Sequence, residues 1–177
     1  MPLGVSEEEF LKIAAQAEEI GLRIEIAGDL PVFEFMPSYL HNDDAIRIFE
    51  TIRPGPRAIA EGCGCHRAFD VIVRFGDGSF RRPDISIFCD RPPRTREAIR
   101  LVPTAVIEIL SPSSITKDTQ LSPSFYLSQG VKDVFVYDSD VQTVNHVRKD
   151  ARKIFRAPIA LETESGCLVA FPSPEPD

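Results

Sequence analysis

Four acidic residues stand inside otherwise apolar stretches: Glu25 in RIEIA, Glu34 in VFEFMP, Asp84 in RPDISIF and Glu108 in PTAVIEIL. Side chains alternate across a strand, so Val106, Glu108 and Leu110 share one face and Ile107 and Ile109 the other. Glu108 is thereby flanked by apolar residues on both faces. An isolated carboxylate in such a place costs several kcal/mol, so it is protonated, paired with a base or bound to a metal. In RPDISIF the same alternation puts Ile85 and Ile87 on one face and Asp84, Ser86 and Phe88 on the other. Three or four acids set into apolar strands in this way make a candidate site for a hard divalent cation. Mg²⁺ takes oxygen ligands, commonly one or two carboxylates together with waters and substrate phosphates. The competing reading for each acid, an edge-strand carboxylate facing water, is weakest for Glu108 and weaker for the Asp84–Glu108 pair than for either alone.

The elements that must carry these residues follow from local signals. SEEEFLKIAAQAEEI opens with a capping box, Ser6 and Glu9, and continues with Phe10, Ile13, Ala14, Ala17 and Ile20 at helical spacing until Gly21. LRIEIAGDLPVFEFMP predicts two short strands turning at AGDLP, and YLHNDDAIRIFETI a helix stopped by RPGP. AFDVIVRFGDGSFRRPDISIF predicts a hairpin around Gly76-Asp77-Gly78, with Pro83 at a strand's beginning or edge. PTAVIEIL is a buried strand, the stretch from Ser113 to Gln129 is mostly helical, and VKDVFVYD and TVNHVRK are further strands. The expected organisation is a single α/β domain over residues 1–171 with a mixed sheet, followed by a loose Pro-rich tail over 172–177.

Composition sets the outer limits. The chain has 177 residues, 43% hydrophobic and 27% charged, which suits one globular domain with a sizeable core. A net charge of -7 argues against a general nucleic-acid coat protein. It is compatible with a nuclease, because carboxylates around a metal lower net charge while the local basic strips FRRPD, DRPPRTREAIR and VRKDARKIFR hold phosphate. No apolar run approaches the roughly 18 residues of a membrane span. The acidic start lacks a signal-peptide pattern, so a cytoplasmic location is expected.

RPDISIF, then PTAVIEILSPSS, then a helix ending in tyrosine, then GVKDVFVYD together resemble the Uma-two family of putative restriction endonucleases, within the PD-(D/E)XK nuclease superfamily. SEEEFLKIA, the strand pair RIEIAGDLPVFEFMP and His41 at a helix start resemble the family's opening, so the resemblance covers most of the chain. It implies a restriction-endonuclease-like core, a mixed β-sheet flanked by helices, acting as a Mg²⁺- (or Mn²⁺-) dependent DNA endonuclease. Asp84 and Glu108 would be metal ligands, Glu25 an assisting acid in the same cleft, and His41 a neighbour. DNA is the implied partner, and a homodimer or higher homo-oligomer the implied assembly.

One part of the pattern is missing. Two positions after Glu108, where the superfamily carries a lysine, stands Leu110. The family instead brings a lysine from the next helix, four residues before the tyrosine that here is Tyr126, and that position is Ser122. Pro123 follows, which suits only a helix's first turn, so Ser122 is expected as an N-cap with Pro123 at the first helical position. Lys117 is the lysine of this segment and fills the role only if the segment swings it inward. The departure leaves two readings: an endonuclease with weakened catalysis, or a catalytically inactive nuclease-fold binding or scaffold module.

Other signals carry less. CGCH, Cys63 to His66, gathers soft ligands that Cys89 could join, but structural zinc usually shows two paired knuckles and the sequence has no second pair. The four cysteines, Cys63, Cys65, Cys89 and Cys167, are expected as free thiols. His146 is expected at the surface, and Tyr126 and Tyr137 as packing residues, Tyr126 lining the cleft if the family register holds.

Overall fold

The capping box at Ser6 forms: Glu9 N–H donates to Ser6 Oγ at 3.2 Å, and Ser6 N–H donates to Glu9 Oε2 at 2.8 Å. It starts helix α1 (Glu7–Glu19), whose Phe10, Ala14 and Ala17 are buried. Strands β1 (Leu22–Ala27) and β2 (Leu30–Phe35) pair antiparallel, with Glu25 opposite Val32. Ser38 caps α2 (Tyr39–Thr51), and the short β3 (Arg53–Pro54) and α3 (Pro56–Glu61) follow. Next come β4 (His66–Phe69), β5 (Val73–Arg74), β6 (Phe80–Arg81), β7 (Ile85–Phe88) and β8 (Ala105–Ile109). The chain ends with α4 (Ser122–Ser128), β9 (Asp133–Asp138), β10 (Thr143–Arg148), β11 (Ala151–Arg156), β12 (Ile159–Glu162) and β13 (Cys167–Phe171). The computed structural model describes residues 5–28, 30–111, 119 and 121–173.

Three sheets result. The central one has the order β11-β10-β9-β8-β7-β4, beside a four-stranded sheet β2-β1-β6-β5 and a three-stranded sheet β12-β13-β3. In the central sheet β8 and β9 run parallel and the remaining pairs antiparallel, the mixed sheet expected. Alternation divides its side chains between two cores. Ile85, Ile87, Ile107, Ile109 and Phe135 pack with Ala45 and Ile48 of α2, while Phe88, Val106, Val134 and Val136 pack with Tyr126 of α4. Helices therefore flank both faces.

The predicted hairpin exists but is shared between two sheets. β5 pairs with β6 in the four-stranded sheet, whereas β4 pairs with β7 in the central one. The chain crosses from one sheet to the other between Arg81 and Ile85. Arg81 consequently reaches Glu25 of β1, and Asp84 reaches Glu108 of β8. This crossover is what positions the site.

Four expectations need correction. The cysteines are not free thiols: Cys63 bonds Cys89 and Cys65 bonds Cys167, because the fold brings the end of β7 and the start of β13 against the loop after α3. His146 is 9% exposed rather than at the surface. It shares its face with the fully buried Val144, as residues two apart on a strand must, and its ring stacks on Phe135 at 4.2 Å. Ser122 is the first residue of α4, not its N-cap; that place is held by Leu121. Glu34 lies on the outer strand β2 between Phe33 and Phe35, which are 59% and 73% exposed, so it is not set into a buried strand. Among the described residues, no helix is long and apolar enough to cross a membrane.

Candidate active site

Asp84, just before β7, and Glu108, in the middle of β8, are 6% and 2% exposed. Each carboxylate is held by the other's strand. Asp84 N–H donates to Glu108 Oε2 at 3.2 Å, and Ile109 N–H donates to Asp84 Oδ2 at 2.8 Å. Tyr126, reaching from α4, donates its hydroxyl to Glu108 Oε1 at 2.7 Å. Arg23 of β1 lies 3.5 Å from Asp84 Oδ1 and also pairs with Asp70. His41, in the first turn of α2, places Nε2 3.2 Å from Asp84 Oδ2 and 3.1 Å from the carbonyl oxygen of Ile109. Burial lowers the His41 pKa, but the bond to Asp84 and the charge of that carboxylate outweigh it and hold the ring above its ordinary value.

Glu25 and Arg81 form the second half of the site, both side chains 2% exposed. Arg81 Nε donates to Glu25 Oε2 at 2.9 Å, and the backbone N–H of Arg82 donates to Glu25 Oε1 at 2.6 Å. The same guanidinium donates to Ser122 Oγ at 2.8 Å and lies over the rings of Phe125 and Tyr126, 4.8 and 5.1 Å from their centroids. Burial disfavours its charge, but Tyr126, Glu25 and Glu108 together raise its pKa above the usual arginine value. Burial, followed by the charge of Glu108, raises the Tyr126 hydroxyl well above its ordinary range, which keeps it a donor.

Asp84, Glu108 and Glu25 are thus gathered at one crossover, with His41 and Tyr126 beside them. Lys117 lies outside the described residues. The site also contains two cations that the sequence reading passed over, Arg23 and Arg81. FRRPD read as one more exposed basic strip, since nothing local says that Arg81 turns into the junction of two sheets. An open groove of about 580 Å³ adjoins the site; Asp70 and Arg82 line it with Arg94 and Arg96 from the basic stretch before β8.

The donor chemistry fits a divalent cation. Asp84 and Glu108 are hard oxygen ligands of the kind such an ion takes, held in place by backbone N–H groups, with Arg23 and His41 on Asp84 and Tyr126 on Glu108. Glu25 instead spends its two oxygens on Arg81 and Arg82 N–H. Among the described residues, the side chains that bring three ligand atoms within 4.8 Å of one another are Cys63, Cys65 and Cys167.

Compared with known proteins, residues 7–168 match the model of the Uma2 family, described as "Putative restriction endonuclease". Among solved structures, the chain resembles a protein from Anabaena variabilis ATCC 29413 described as a putative nuclease belonging to DUF820. The two share 23% identity over 91% of this chain and 90% of that one, with a TM-score of 0.67, which establishes a common fold. No curated protein matches.

Proposed function

The chain belongs to the Uma2 family, and from that premise we propose that it is a Mg²⁺- or Mn²⁺-dependent DNA endonuclease in which Asp84 and Glu108 hold the metal. The observation that carries this reading is the reciprocal locking of two buried carboxylates, Asp84 just before β7 and Glu108 in β8, next to a groove where Arg82, Arg94 and Arg96 stand among Glu18, Asp70 and Glu97. A divalent ion held there would polarise a phosphate and acidify an attacking water. Tyr126 fixes the rotamer of Glu108, and His41 and Arg23 fix that of Asp84. Arg94 and Arg96 supply phosphate contacts, which position a duplex without reading its sequence, while Arg82 is held by Glu18 and Asp70.

Arg81 takes the electrostatic role that the family gives to a lysine at position 122. The support is direct: its guanidinium reaches the Ser122 hydroxyl, and Glu108 is among the charges that raise its pKa. A guanidinium stabilises developing negative charge but does not give up a proton near neutral pH. Weakened rather than abolished catalysis follows. The exposed Leu30, Phe33, Phe35, Tyr39 and Leu40, on β2 and the start of α2, offer an apolar face for a homodimer.

A second reading, a nuclease-fold binding module, is favoured by the serine at position 122. Calorimetric titration of Mg²⁺ and Mn²⁺ into wild type and Asp84→Ala, with plasmid nicking on the same samples, separates the readings. Metal binding lost in the variant together with metal-dependent nicking supports the enzyme. Binding without nicking supports the module, and no binding in either protein overturns the metal site.

A further inference from the structure

Four cysteines from three separate parts of the chain meet in one place. Cys63 and Cys65 leave the loop after α3, Cys89 follows β7, and Cys167 begins β13. They are joined as Cys63–Cys89 and Cys65–Cys167, yet the two bonds lie against each other: Cys63 Sγ is 4.0 Å from Cys65 Sγ and 3.8 Å from Cys167 Sγ. A tetrahedral zinc with Zn–S bonds of about 2.3 Å requires its four sulfurs about 3.8 Å apart. The two contacts that Cys63 makes across the disulfides already have that spacing, and the Cys63, Cys65 and Cys167 sulfurs lie within 4.8 Å of one another, so Cys89 is the ligand that must close on the other three. Opening both bonds to thiols lets each bonded pair separate to the same distance by side-chain rotation.

We propose that Cys63, Cys65, Cys89 and Cys167 form a structural Zn²⁺ site in the reduced chain, and that the two disulfides are its oxidised, metal-free state. The ligand set is closed, with four sulfurs and no place for water, which is the pattern of a structural rather than catalytic zinc. Cys167 is fully buried and Cys63 and Cys65 are 6% and 4% exposed, while Cys89 is half-buried and gives an entry path. The surrounding bonds prearrange the sulfurs. Cys63 N–H donates to the carbonyl of Ala58 at 2.8 Å, Gly64 N–H to that of Cys89 at 2.9 Å, and Cys167 N–H to Thr163 Oγ1 at 2.9 Å. A Cβ at Gly64, between the two ligands, would meet the end of the His66 side chain at 2.4 Å, so the ring would have to turn aside. The missing second knuckle of the sequence is thus assembled in space from Cys89 and Cys167.

The exchange balances with named reagents. Two equivalents of a phosphine and two of water reduce the two disulfides to four thiols, giving two of phosphine oxide. Zn²⁺ then displaces four protons. In the reverse direction two equivalents of hydrogen peroxide take four electrons from the thiolates, release Zn²⁺ and, with four protons, give four of water.

The test uses the full chain, produced with zinc in the medium and purified without chelator. Native mass spectrometry after phosphine treatment is expected to show one Zn²⁺ per chain, lost on peroxide treatment together with four titratable thiols. Co²⁺ in place of zinc is expected to give the visible spectrum of a tetrahedral tetrathiolate. Cys89→Ser, which alters the half-buried ligand, is expected to lose the stoichiometric metal and the four-sulfur spectrum while remaining folded by circular dichroism. A variant with all four cysteines changed to serine sets the background. The proposal is overturned if the reduced, folded wild type takes up neither metal above that background. It is equally overturned if Cys89→Ser retains the wild-type cobalt spectrum, or if the native disulfides resist the phosphine. None of these readouts depends on nuclease activity.

Discussion

Arg81→Met tests whether the buried cation from β6 is the centre of the acidic site. Arg81 and Glu25 are each 2% exposed and 2.9 Å apart, and removing one partner of a buried pair costs about 3–5 kcal/mol because the other charge stays behind. Methionine keeps part of the packing on Phe125 and Tyr126 but gives up the cation–π contribution, worth roughly 2 kcal/mol when desolvated. Arg82 N–H still donates to Glu25, which limits the loss, so a net cost of about 4 kcal/mol is expected. With a urea dependence of about 2 kcal/mol per molar for a domain of this size, the unfolding midpoint falls by about 2 M. Urea unfolding followed by circular dichroism at neutral pH measures this. Arg81→Met combined with Glu25→Gln removes the stranded charge and recovers at least about half of the loss, a coupling well above the roughly 0.5 kcal/mol expected of independent sites. A single-variant midpoint shift below about 0.5 M, worth about 1 kcal/mol, refutes the argument, as does additivity in the double variant. Under conditions where Arg81→Met stays folded, metal-dependent nicking falls by about 10²–10³ if the guanidinium stabilises developing charge. Unchanged nicking reduces Arg81 to a structural residue.

Two further outcomes follow from buried bonds. Tyr126→Phe deletes the donor to Glu108 Oε1 and leaves the ring in place, so it destabilises by about 1–3 kcal/mol and lowers metal affinity, read by urea unfolding and calorimetry. Asp133, fully buried, accepts bonds from His146, Arg148 and Glu164 N–H at 2.7, 2.6 and 2.7 Å. Burial raises its pKa, but those bonds prevail and hold the carboxyl below its ordinary value. Its stabilisation is therefore complete above the unfolded-state pKa of about 3.9 and is lost as pH falls through that value and the lower folded one. Asp133→Asn costs about 3–5 kcal/mol at pH 7, and its difference from wild type shrinks only below about pH 4 in a urea-unfolding series.

The acids were legible because strand alternation is a local signal: AVIEIL and PDISIF each give away a carboxylate flanked by apolar neighbours without any knowledge of the fold. The capping box at Ser6 and the turn around Gly76–Gly78 are local in the same way. What escaped depends on contacts between elements distant in sequence. Arg81 looks like an ordinary strand arginine until β6 is paired with β1. The cysteines look free until β13, itself absent from the sequence reading, is placed beside β3. His146 was misplaced for a simpler reason, since residues two apart on a strand share a face and Val144 is core. The role of Ser122 was read as helix capping, whereas the structure turns its hydroxyl to a guanidinium.

On the reading proposed above, that last contact gives the site a cation where the family it resembles carries a lysine. Here the Ser122 hydroxyl meets the Arg81 guanidinium from the neighbouring sheet, and Pro123 is tolerated in the first turn of α4, where its missing N–H would have no intrahelical partner. If Arg81 takes the electrostatic role of that lysine, the acid–base consequence still differs. A catalytic lysine is tuned by its surroundings to about pH 7–8 and can exchange a proton in that range. Arg81, whose pKa is raised still further, stays charged throughout. The pH profile of metal-dependent nicking between about pH 6 and 9 should therefore lack the limb that a tuned lysine produces. Measured with wild type and Lys117→Met, the two profiles should have the same shape. A basic limb in wild type that disappears in Lys117→Met would return the role to a lysine and refute its assignment to Arg81.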